Sequence, residues 1–349
     1  MEFLYEYGLF FAKTLTFVAA ILAIIVTAVV LAAKQKTQKG ELLITDLSEQ
    51  LNNNQQHFEE QLLSEDELKA KQKAEKKAAK AAKKAAKKSP TEPEQEIKNK
   101  LYVVDFKGSI DAKEVSSLRE EVTAILGVVQ PNDEVLVRLE TGGGMVHGYG
   151  LASSQLQRLR AQGVNLTVSV DKVAASGGYM MACVAPKIIA APFAIIGSIG
   201  VIAQIPNFNR LLKKHDVDFE QMTAGEFKRT VTMFGENTEK GKEKFQLELE
   251  ETHVLFKEFV SENRPQLDIN KVATGEHWYG SQAFSLNLID KVQTSDDYLL
   301  QQNETKTVIA VRYSVKKKLA DKIAHAASLA FERCLMKLWQ QGKGPFINS

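Results

Sequence analysis

Hydrophobic and polar positions divide this chain into an apolar start, a long polar stretch and a remainder in which the two kinds alternate. Residues 15–33 read LTFVAAILAIIVTAVVLAA and carry no charge. A run of about 20 such residues is long enough to cross a bilayer as a helix. Residues 40–97 are polar, and their section 69–88 consists mostly of lysine and alanine. That section has almost nothing to bury, so the pattern predicts a solvated spacer.

From residue 101 onward, apolar runs of strand length alternate with amphipathic stretches. Strands are predicted at 101–106 and 134–139, helices at 113–126 and 147–160, and a glycine-rich turn at 141–144. A single buried strand then begins at residue 166 and extends to a second glycine-rich turn at Ser176, which a short apolar helix follows. Alternating strands and helices are typical of an α/β domain.

The apolar stretch 188–205 has two interpretations. Its length approaches that of a second membrane span, but Pro192, Gly197 and Gly200 interrupt it. Each half has strand length, so we predict two buried strands, at 187–191 and 194–202.

Four elements are predicted in the last third of the chain. Thr238 is a suitable N-cap for a long helix that ends near residue 262. Residues 275–290 contain an edge strand and a short helix. Residues 316–340 form an amphipathic helix, which can pack on its own core, lie on a membrane or join subunits.

The amino-terminal run is predicted to be a retained anchor and not a cleaved signal peptide. A signal peptide has a basic start and a shorter apolar core, whereas this chain begins with Glu2 and Glu6 and its core is long. Lysines directly after the run favour a cytoplasmic downstream part by the positive-inside rule, and Lys13 before the run weakens that preference. The side of the membrane therefore stays open.

Composition excludes several classes of function. The 349 residues carry a net charge of only +2, and the lysine run has no interleaved aromatic residues for stacking on bases, so no nucleic-acid partner is expected. The only cysteines are Cys183 and Cys334. They form neither a disulfide framework nor a metal-type spacing. We expect no metal and no cofactor.

Ser176 is the main candidate for a catalytic residue. It stands between the strand and the apolar helix, directly before Gly177 and Gly178. One interpretation is a plain N-cap serine. The other is a nucleophile, because a helix start offers unpaired backbone N–H groups that can bind the oxyanion that a serine creates.

Four short motifs in order resemble those of the signal peptide peptidase A-type serine proteases. They are Thr141-Gly142-Gly143-Gly144, Ala175-Ser176-Gly177-Gly178-Tyr179, Gly197-Ser198-Ile199-Gly200-Val201 and Gly225-Glu226-Phe227-Lys228. Each motif is weak alone, and their order and spacing together are specific. The resemblance covers about residues 101–290, and it implies an α/β fold of repeated ββα units related to Clp protease and crotonase.

The resemblance also implies roles for particular residues. Ser176 would be the nucleophile and Lys228 the general base, with Ser198 orienting the lysine amine. The oxyanion hole would use the backbone N–H of Gly177 and that of Gly143 or Gly144. Thr141-Gly142 stands where the family often has Ser-Pro, which leaves the choice between the two glycines open.

The resemblance further implies a serine endopeptidase of the bacterial inner membrane that assembles as a homo-oligomer, in some members of the family with sites completed between neighbouring copies. Its partners would be the lipid bilayer and hydrophobic or signal-peptide-like peptides. On this basis the chain divides into an anchor (1–36), a linker (37–97), a serine peptidase domain (98–300) and a C-terminal strand with an amphipathic helix (301–349).

The chemistry of a serine–lysine pair can be weighed separately. A free lysine has a pKa near ~10.4 and is a poor base at neutral pH. Burial disfavours the ammonium form, and Lys228 follows Phe227, which could line an apolar cleft. His147 is the rival base, but a serine–histidine pair would need a third, acidic residue to orient it.

Two other classes of function stay open at this point. One is a catalytically silent membrane scaffold on the same fold. The other is a crotonase-like acyl-CoA enzyme, which a glycine-rich oxyanion turn would also suit.

Overall fold

A computed structural model describes residues 2–34, 40–64, 66–69, 73, 77 and 98–315. Of these described residues, 2–34, 40–41 and 314–315 belong to one compact unit, and those between 42 and 313 belong to a second. In the first unit, helix α1 spans Glu2–Lys34. Within the parts of the chain that the structure describes, no helix reaches the length and hydropathy of a membrane span. The anchor stays a prediction, and most of the lysine-rich run and the helix predicted at 316–340 lie outside the described residues.

The second unit alternates strands and helices along most of its length. Its first half contains β1 (Glu41–Asp46), α2 (Leu47–Leu62), β2 (Lys100–Lys107), α3 (Val115–Leu126), β3 (Glu134–Glu140), α4 (Val146–Ala161), β4 (Asn165–Val170), β5 (Val173–Ala175) and α5 (Gly177–Ala182). Its second half contains β6 (Lys187–Ala190), β7 (Ile195–Gly197), α6 (Asn209–Lys214), α7 (Glu239–Asn263), α8 (Ile269–Val272), β8 (His277–Tyr279), α9 (Gly280–Ser285), β9 (Lys291–Val292), α10 (Ser295–Asn303) and β10 (Thr307–Ser314).

The strands of the described residues form two sheets. Within that part of the chain the larger sheet has seven strands in the order β1-β10-β2-β3-β4-β6-β9, and every pair from β10 to β9 is parallel. The smaller has the order β5-β7-β8, with β5 parallel to β7 and β8 antiparallel to it. The predicted α/β class is confirmed. The C-terminal strand β10 lies inside the large sheet, beside β2.

Burial explains why the central strands are continuous apolar runs. Val135, Leu136 and Val137 are consecutive in β3, and none of them is exposed. A parallel strand covered on both faces has this pattern, whereas a half-exposed strand alternates. Helices α3 and α4 cover part of the sheet with the apolar sides that their periodicity predicts, including Leu118 and Leu156.

Two predicted strands need correction. The single strand expected at 166–175 is wrong, because the chain breaks at Asp171 and Lys172 and its two parts, β4 and β5, join different sheets. Asp171 serves α10 there, since its carboxylate accepts from the Ser295 N–H and hydroxyl at 2.8 and 2.6 Å. The strand expected at 194–202 ends at Gly197, because Ser198 has a φ of +51°. The division of the 188–205 stretch into two strands is confirmed.

Candidate active site

Ser176 lies at the joint between β5 and α5, in a backbone conformation that few residues adopt. Its φ of +52° falls in the left-handed region, which strains any residue with a Cβ. The Ser176 N–H donates to the Gly197 carbonyl at 2.8 Å, and the Ser176 carbonyl accepts from the Met180 N–H at 3.0 Å. These bonds to the strand β7 and the helix α5 hold the residue in that conformation.

The hydroxyl of Ser176 is not used for structure. Ser176 is the N-cap residue of α5, as the sequence predicts, but its side chain makes no hydrogen bond to the helix. A capping serine accepts from the second or third N–H of its helix. The half-buried Ser176 side chain therefore keeps its hydroxyl available for chemistry.

A cavity of about 440 Å³ contains Ser176 and most of the predicted site. Four predicted residues line it beside Ser176, namely Gly143, Gly144, Gly177 and Ser198. Its other walls are formed by Gly142, Val146, Met180, Gly200, Val201, Ile202, Thr252, Phe256 and Gly275. The walls are mostly apolar or lack side chains, so the cavity suits small or apolar groups next to a hydroxyl.

The turn that carries Gly143 lies against the nucleophile candidate. Gly143 has a φ of +85°, and a Cβ there would lie 2.8 Å from the Ser176 Cβ and 2.7 Å from the Gly177 nitrogen. No other residue type fits that space. The glycine-rich turn that the sequence predicts is therefore packed tightly against Ser176.

The backbone N–H groups of the turn are not equivalent. The Gly143 N–H donates to the Thr141 hydroxyl at 3.1 Å. The N–H groups of Gly144 and Gly177 have no acceptor among the described residues. Of the two glycines that the sequence left open, Gly144 is the one whose N–H is unoccupied.

Ser198 shares the cavity with Ser176 and is also strained, with a φ of +51°. Its N–H donates to the Glu276 carbonyl at 2.7 Å, and its own carbonyl accepts from the Gly200 N–H at 3.0 Å. The next residue is held from the long helix α7, since His253 Nε2 lies 3.2 Å from the Ile199 carbonyl. Ser198 is thus fixed by its backbone, and its side chain has no hydrogen-bond partner among the described residues.

Lys228 does not lie in this cavity. Its side chain is exposed, and its N–H donates to the Gly225 carbonyl at 3.2 Å in a stretch without regular structure. The neighbours Phe227 and Arg229 line a different cavity of about 360 Å³. The burial that the sequence suggested for Lys228 is absent in the single chain, which brings together every predicted site residue except this one.

No histidine among the described residues lines the Ser176 cavity. His147, the rival base, is exposed at the start of α4. The buried thiol of Cys183 keeps its proton at neutral pH, because burial raises its pKa to about 12. The described residues contain no cluster of three or more side chains suited to a metal ion.

Sequence reasoning missed a buried pair next to the cavity, Thr141 and Tyr149. Their hydroxyls are hydrogen-bonded to each other, and Tyr149 donates to the Ser109 carbonyl at 2.8 Å. Burial raises the pKa of Tyr149, which keeps its proton. A tyrosine eight residues after Thr141 on a predicted helix is a weak signal, since it also fits ordinary core packing.

Comparison with known proteins decides the family. A protein of Haemophilus influenzae named "Probable protease SohB" is 57% identical over 329 residues, which cover 93% of this chain and 93% of the relative. The chain belongs to peptidase family S49. The N-terminal description of family S49 matches residues 2–156, and the main family S49 description matches residues 158–309.

Other relatives agree with this assignment to family S49. The "Probable protease SohB" of Buchnera aphidicola from Acyrthosiphon pisum is 49% identical over 97% of this chain and 98% of its own length. The resemblance drawn from the motifs, to signal peptide peptidase A-type proteases and within them most to SohB, is confirmed. The solved structure of a mutant of the 1510-N membrane-bound stomatin-specific protease covers 59% of this chain and 84% of its own, with a TM-score of 0.40 and 15% identity, too low to support a conclusion.

Proposed function

We propose that this family S49 peptidase is a membrane-anchored serine endopeptidase that uses Ser176 as nucleophile and Lys228 as general base. The observation that carries the proposal is the hydroxyl of Ser176, which is held in a strained conformation in a mostly apolar cavity beside two backbone N–H groups; in the described part of the chain none of these three groups has a hydrogen-bond partner. Strain of this kind persists only where the surroundings enforce it, and it concentrates at functional sites.

In the proposed reaction, the Ser176 oxygen attacks the carbonyl carbon of a peptide bond while the uncharged Lys228 amine takes its proton. The oxyanion that forms accepts hydrogen bonds from the N–H groups of Gly177 and Gly144, and the Gly143 N–H takes no part because Thr141 occupies it. The lysine then gives the proton to the leaving amine, and water hydrolyses the acyl-enzyme by the reverse route. Ser198 would orient the amine through its hydroxyl.

Lys228 would reach the cavity from a neighbouring copy of the chain. A lysine is a base only when uncharged, and removal from water favours that form. Lys228 is exposed in the single chain and lies on a segment, residues 201–237, that we call the apolar arm. Large apolar side chains are exposed along this arm, namely Ile202, Ile205, Phe208, Leu211, Val217, Phe219, Met222, Phe227, Met233 and Phe234. Many large apolar side chains exposed along one segment are typical of an interface, which supports a homo-oligomer.

The apolar arm is ordered by its own contacts and can therefore act as a docking element. The Phe234 ring lies 6.0 Å from that of Phe208 and 5.8 Å from that of Phe219, centre to centre. Asn207 Nδ2 donates to the Thr232 carbonyl at 2.9 Å and Asn209 Nδ2 to the Phe234 carbonyl at 2.8 Å. These contacts hold the two ends of the arm together without help from a partner.

The substrates and location follow from the same features. Apolar cavity walls favour small or apolar side chains next to the cleaved bond, so hydrophobic or signal-peptide-like peptides are the proposed substrates. The apolar run at 15–33 supports an anchor in the bacterial inner membrane. We also assign the domain to the Clp protease and crotonase type, because the same ββα order occurs twice. It occurs in β4, β5 and α5, and it occurs earlier in β3, the β-bridge at Thr141 and α4.

A fluorophosphonate probe tests the proposed nucleophile. We expect the detergent-solubilised protein to be labelled on Ser176, and labelling to disappear in Ser176→Ala. Ser153→Ala is a matched control, because that serine is buried in α4 and its hydroxyl donates to the Tyr149 carbonyl at 2.9 Å. A folded protein that neither reacts with the probe nor cleaves any peptide of a hydrophobic library would refute the peptidase mechanism.

Mixing two inactive variants tests the origin of Lys228. Ser176→Ala and Lys228→Ala chains should each be inactive, and co-assembly should restore activity because the intact serine of one copy meets the intact lysine of another. Lys214→Ala, a change of another lysine in the arm, should keep full activity. A mixture that co-assembles and stays inactive would show that the pair forms within one chain.

A further inference from the structure

We propose that Thr141 and Tyr149 are positioning residues that decide which N–H groups form the oxyanion hole. The inference rests on the proposed function and extends it to two residues that do not line the cavity. Thr141 is 3% exposed and Tyr149 is fully buried. Neither can touch a substrate, so any effect on the reaction must pass through the backbone of the glycine turn or of Gly177.

The backbone of Thr141 ties the glycine turn to the strand before Ser176. Its N–H donates to the Val173 carbonyl at 2.9 Å, and its carbonyl accepts from the Ala175 N–H at 3.1 Å. These bonds form a parallel bridge between Thr141 and Ala174. The start of the turn therefore cannot move without moving the residue directly before Ser176.

The side chain of Thr141 fixes the orientation of the next peptides. Its hydroxyl accepts from the Gly143 N–H at 3.1 Å, lies 3.2 Å from the Gly108 carbonyl and is hydrogen-bonded to the Tyr149 hydroxyl. The Gly143 N–H is thereby directed into the protein. The N–H of Gly144, one peptide further, lies at the cavity without an acceptor among the residues that the structure describes.

Tyr149 contacts both the Thr141 hydroxyl and Gly177, the other proposed donor. Its hydroxyl donates to the Ser109 carbonyl at 2.8 Å, which anchors it to the loop on the far side of the turn. A Cβ at Gly177 would lie 2.4 Å from Cγ of the Tyr149 ring, so this ring packs directly under the residue whose N–H completes the oxyanion hole. One buried tyrosine thus supports the Thr141 hydroxyl and the Gly177 backbone together.

The loop 108–112 packs against the other side of the glycine turn. The Ile110 carbonyl accepts from the Met145 N–H at 2.9 Å, and a Cβ at Gly144 would lie 2.1 Å from the same oxygen. The turn is therefore held on one side by the Thr141 hydroxyl and on the other by this carbonyl. Loss of the hydroxyl would free one side only, and a shift of the Gly144 N–H by a fraction of an ångström is the expected result.

Thr141→Val and Thr141→Ser separate the hydroxyl from the methyl group. Valine keeps the methyl that packs near Gly178, where a Cβ would lie 2.8 Å from Thr141 Cγ2, and removes the hydroxyl; serine does the opposite. Loss of one oxyanion donor costs about 10²–10³ in kcat, and a displaced donor should cost less. We expect kcat to fall about tenfold to hundredfold in Thr141→Val with KM within about twofold, while Thr141→Ser stays within about threefold of the wild type.

Inhibition by a peptide aldehyde tests whether the variants weaken stabilisation of the oxyanion in particular. Its adduct with Ser176 carries the same oxyanion, so its inhibition constant should rise by the factor by which kcat/KM falls. Tyr149→Phe keeps the ring under Gly177 and should show the same pattern with a smaller factor. It also gives an independent test if Thr141→Val folds poorly.

Three results bear on the inference. It is overturned if Thr141→Val and Tyr149→Phe keep kcat within about twofold, or if Thr141→Ser is impaired as strongly as Thr141→Val. It is also overturned if kcat falls while aldehyde inhibition is unchanged. A wild-type protein without Ser176-dependent activity would instead bring down the proposed function, and that result is distinguishable because it appears before any variant is made.

Discussion

A single methyl group at Gly143 should remove most of the Ser176-dependent activity. The Cβ of Gly143→Ala would lie 2.7 Å from the Ala175 carbonyl oxygen, 2.7 Å from the Gly177 nitrogen and 2.8 Å from the Ser176 Cβ. Carbon contacts are normally about 3.5–4.0 Å. The variant must therefore displace backbone on both sides of the nucleophile, and no flexible side chain is available to yield.

The magnitude has two parts. Gly143 has a φ of +85°, and the left-handed region costs an alanine about 1–2 kcal/mol. Overpacking adds about 1–3 kcal/mol. The total is about 2–5 kcal/mol, some of which the protein can relieve by moving Ser176 away from the turn. A displacement of about 1 Å at a reacting group costs about 10²-fold in rate.

The assay compares kcat/KM for a hydrophobic peptide and the unfolding midpoint in Gly143→Ala and Gly163→Ala. Gly163 has a similar φ of +74°, but a Cβ there meets nothing within 4 Å. The control thus carries the backbone strain without the overlap, and it should lose about 1–2 kcal/mol of stability and keep its activity. The reasoning would be wrong if Gly143→Ala were as active as Gly163→Ala.

Three further predictions concern stability. Gly150→Ala adds a methyl inside α4 with nothing within 4 Å, so it should raise the free energy of unfolding by about 0.5–1 kcal/mol in chemical denaturation. Glu121→Gln should remove a pH dependence of the free energy of unfolding. Burial raises the pKa of Glu121 to about 7, so the wild type should lose stability as pH rises from about 4.5 through 7. In urea unfolding the glutamine variant should be more stable than the wild type by about 1–3 kcal/mol at pH 8, and the two should be equal at pH 4. Arg264→Leu should cost about 2 kcal/mol in the same measurement, because it removes two charge-assisted 2.9 Å hydrogen bonds between the buried guanidinium and the partly exposed Asp290 carboxylate. An unfolding midpoint within experimental error of the wild type would contradict the predictions for Gly150→Ala and Arg264→Leu, and the same result at pH 8 would contradict that for Glu121→Gln.

The elements predicted best are those whose signal is local. Helix α7 begins where Thr238 predicts, and the Thr238 hydroxyl accepts from the Gly241 N–H at 3.2 Å. Its inward side, including Phe256 and Val260, follows from helical periodicity and is buried. Strand β3 is equally clear, because a strand buried on both faces must be apolar throughout. Helix caps and hydrophobic periodicity depend on a few neighbouring residues, which is why these elements can be predicted from the sequence.

The features that the sequence could not supply depend on distant residues. The break between β4 and β5 requires knowing that Asp171 bonds to Ser295, 124 positions later. The end of β7 depends on the Glu276 carbonyl, which fixes Ser198 from another part of the chain. In the proposed oxyanion hole, the choice between the Gly143 and Gly144 N–H groups depends on the Thr141 hydroxyl, which lies against the Gly108 carbonyl, 33 positions earlier. In each case the pattern predicts the element, and a tertiary contact decides its geometry.

The position of Lys228 can be interpreted only from the sequence motif and the tertiary structure together. The motif around it predicts a base, and a lysine base needs to be removed from water. The single chain leaves this side chain exposed, on an arm whose apolar residues are exposed as well. Burial of the arm against a second copy would satisfy both needs at once, since the contact that covers the apolar side chains would also desolvate the amine. Activity should therefore depend on assembly, and specific activity that stays constant on dilution below the point where the copies separate would contradict this link.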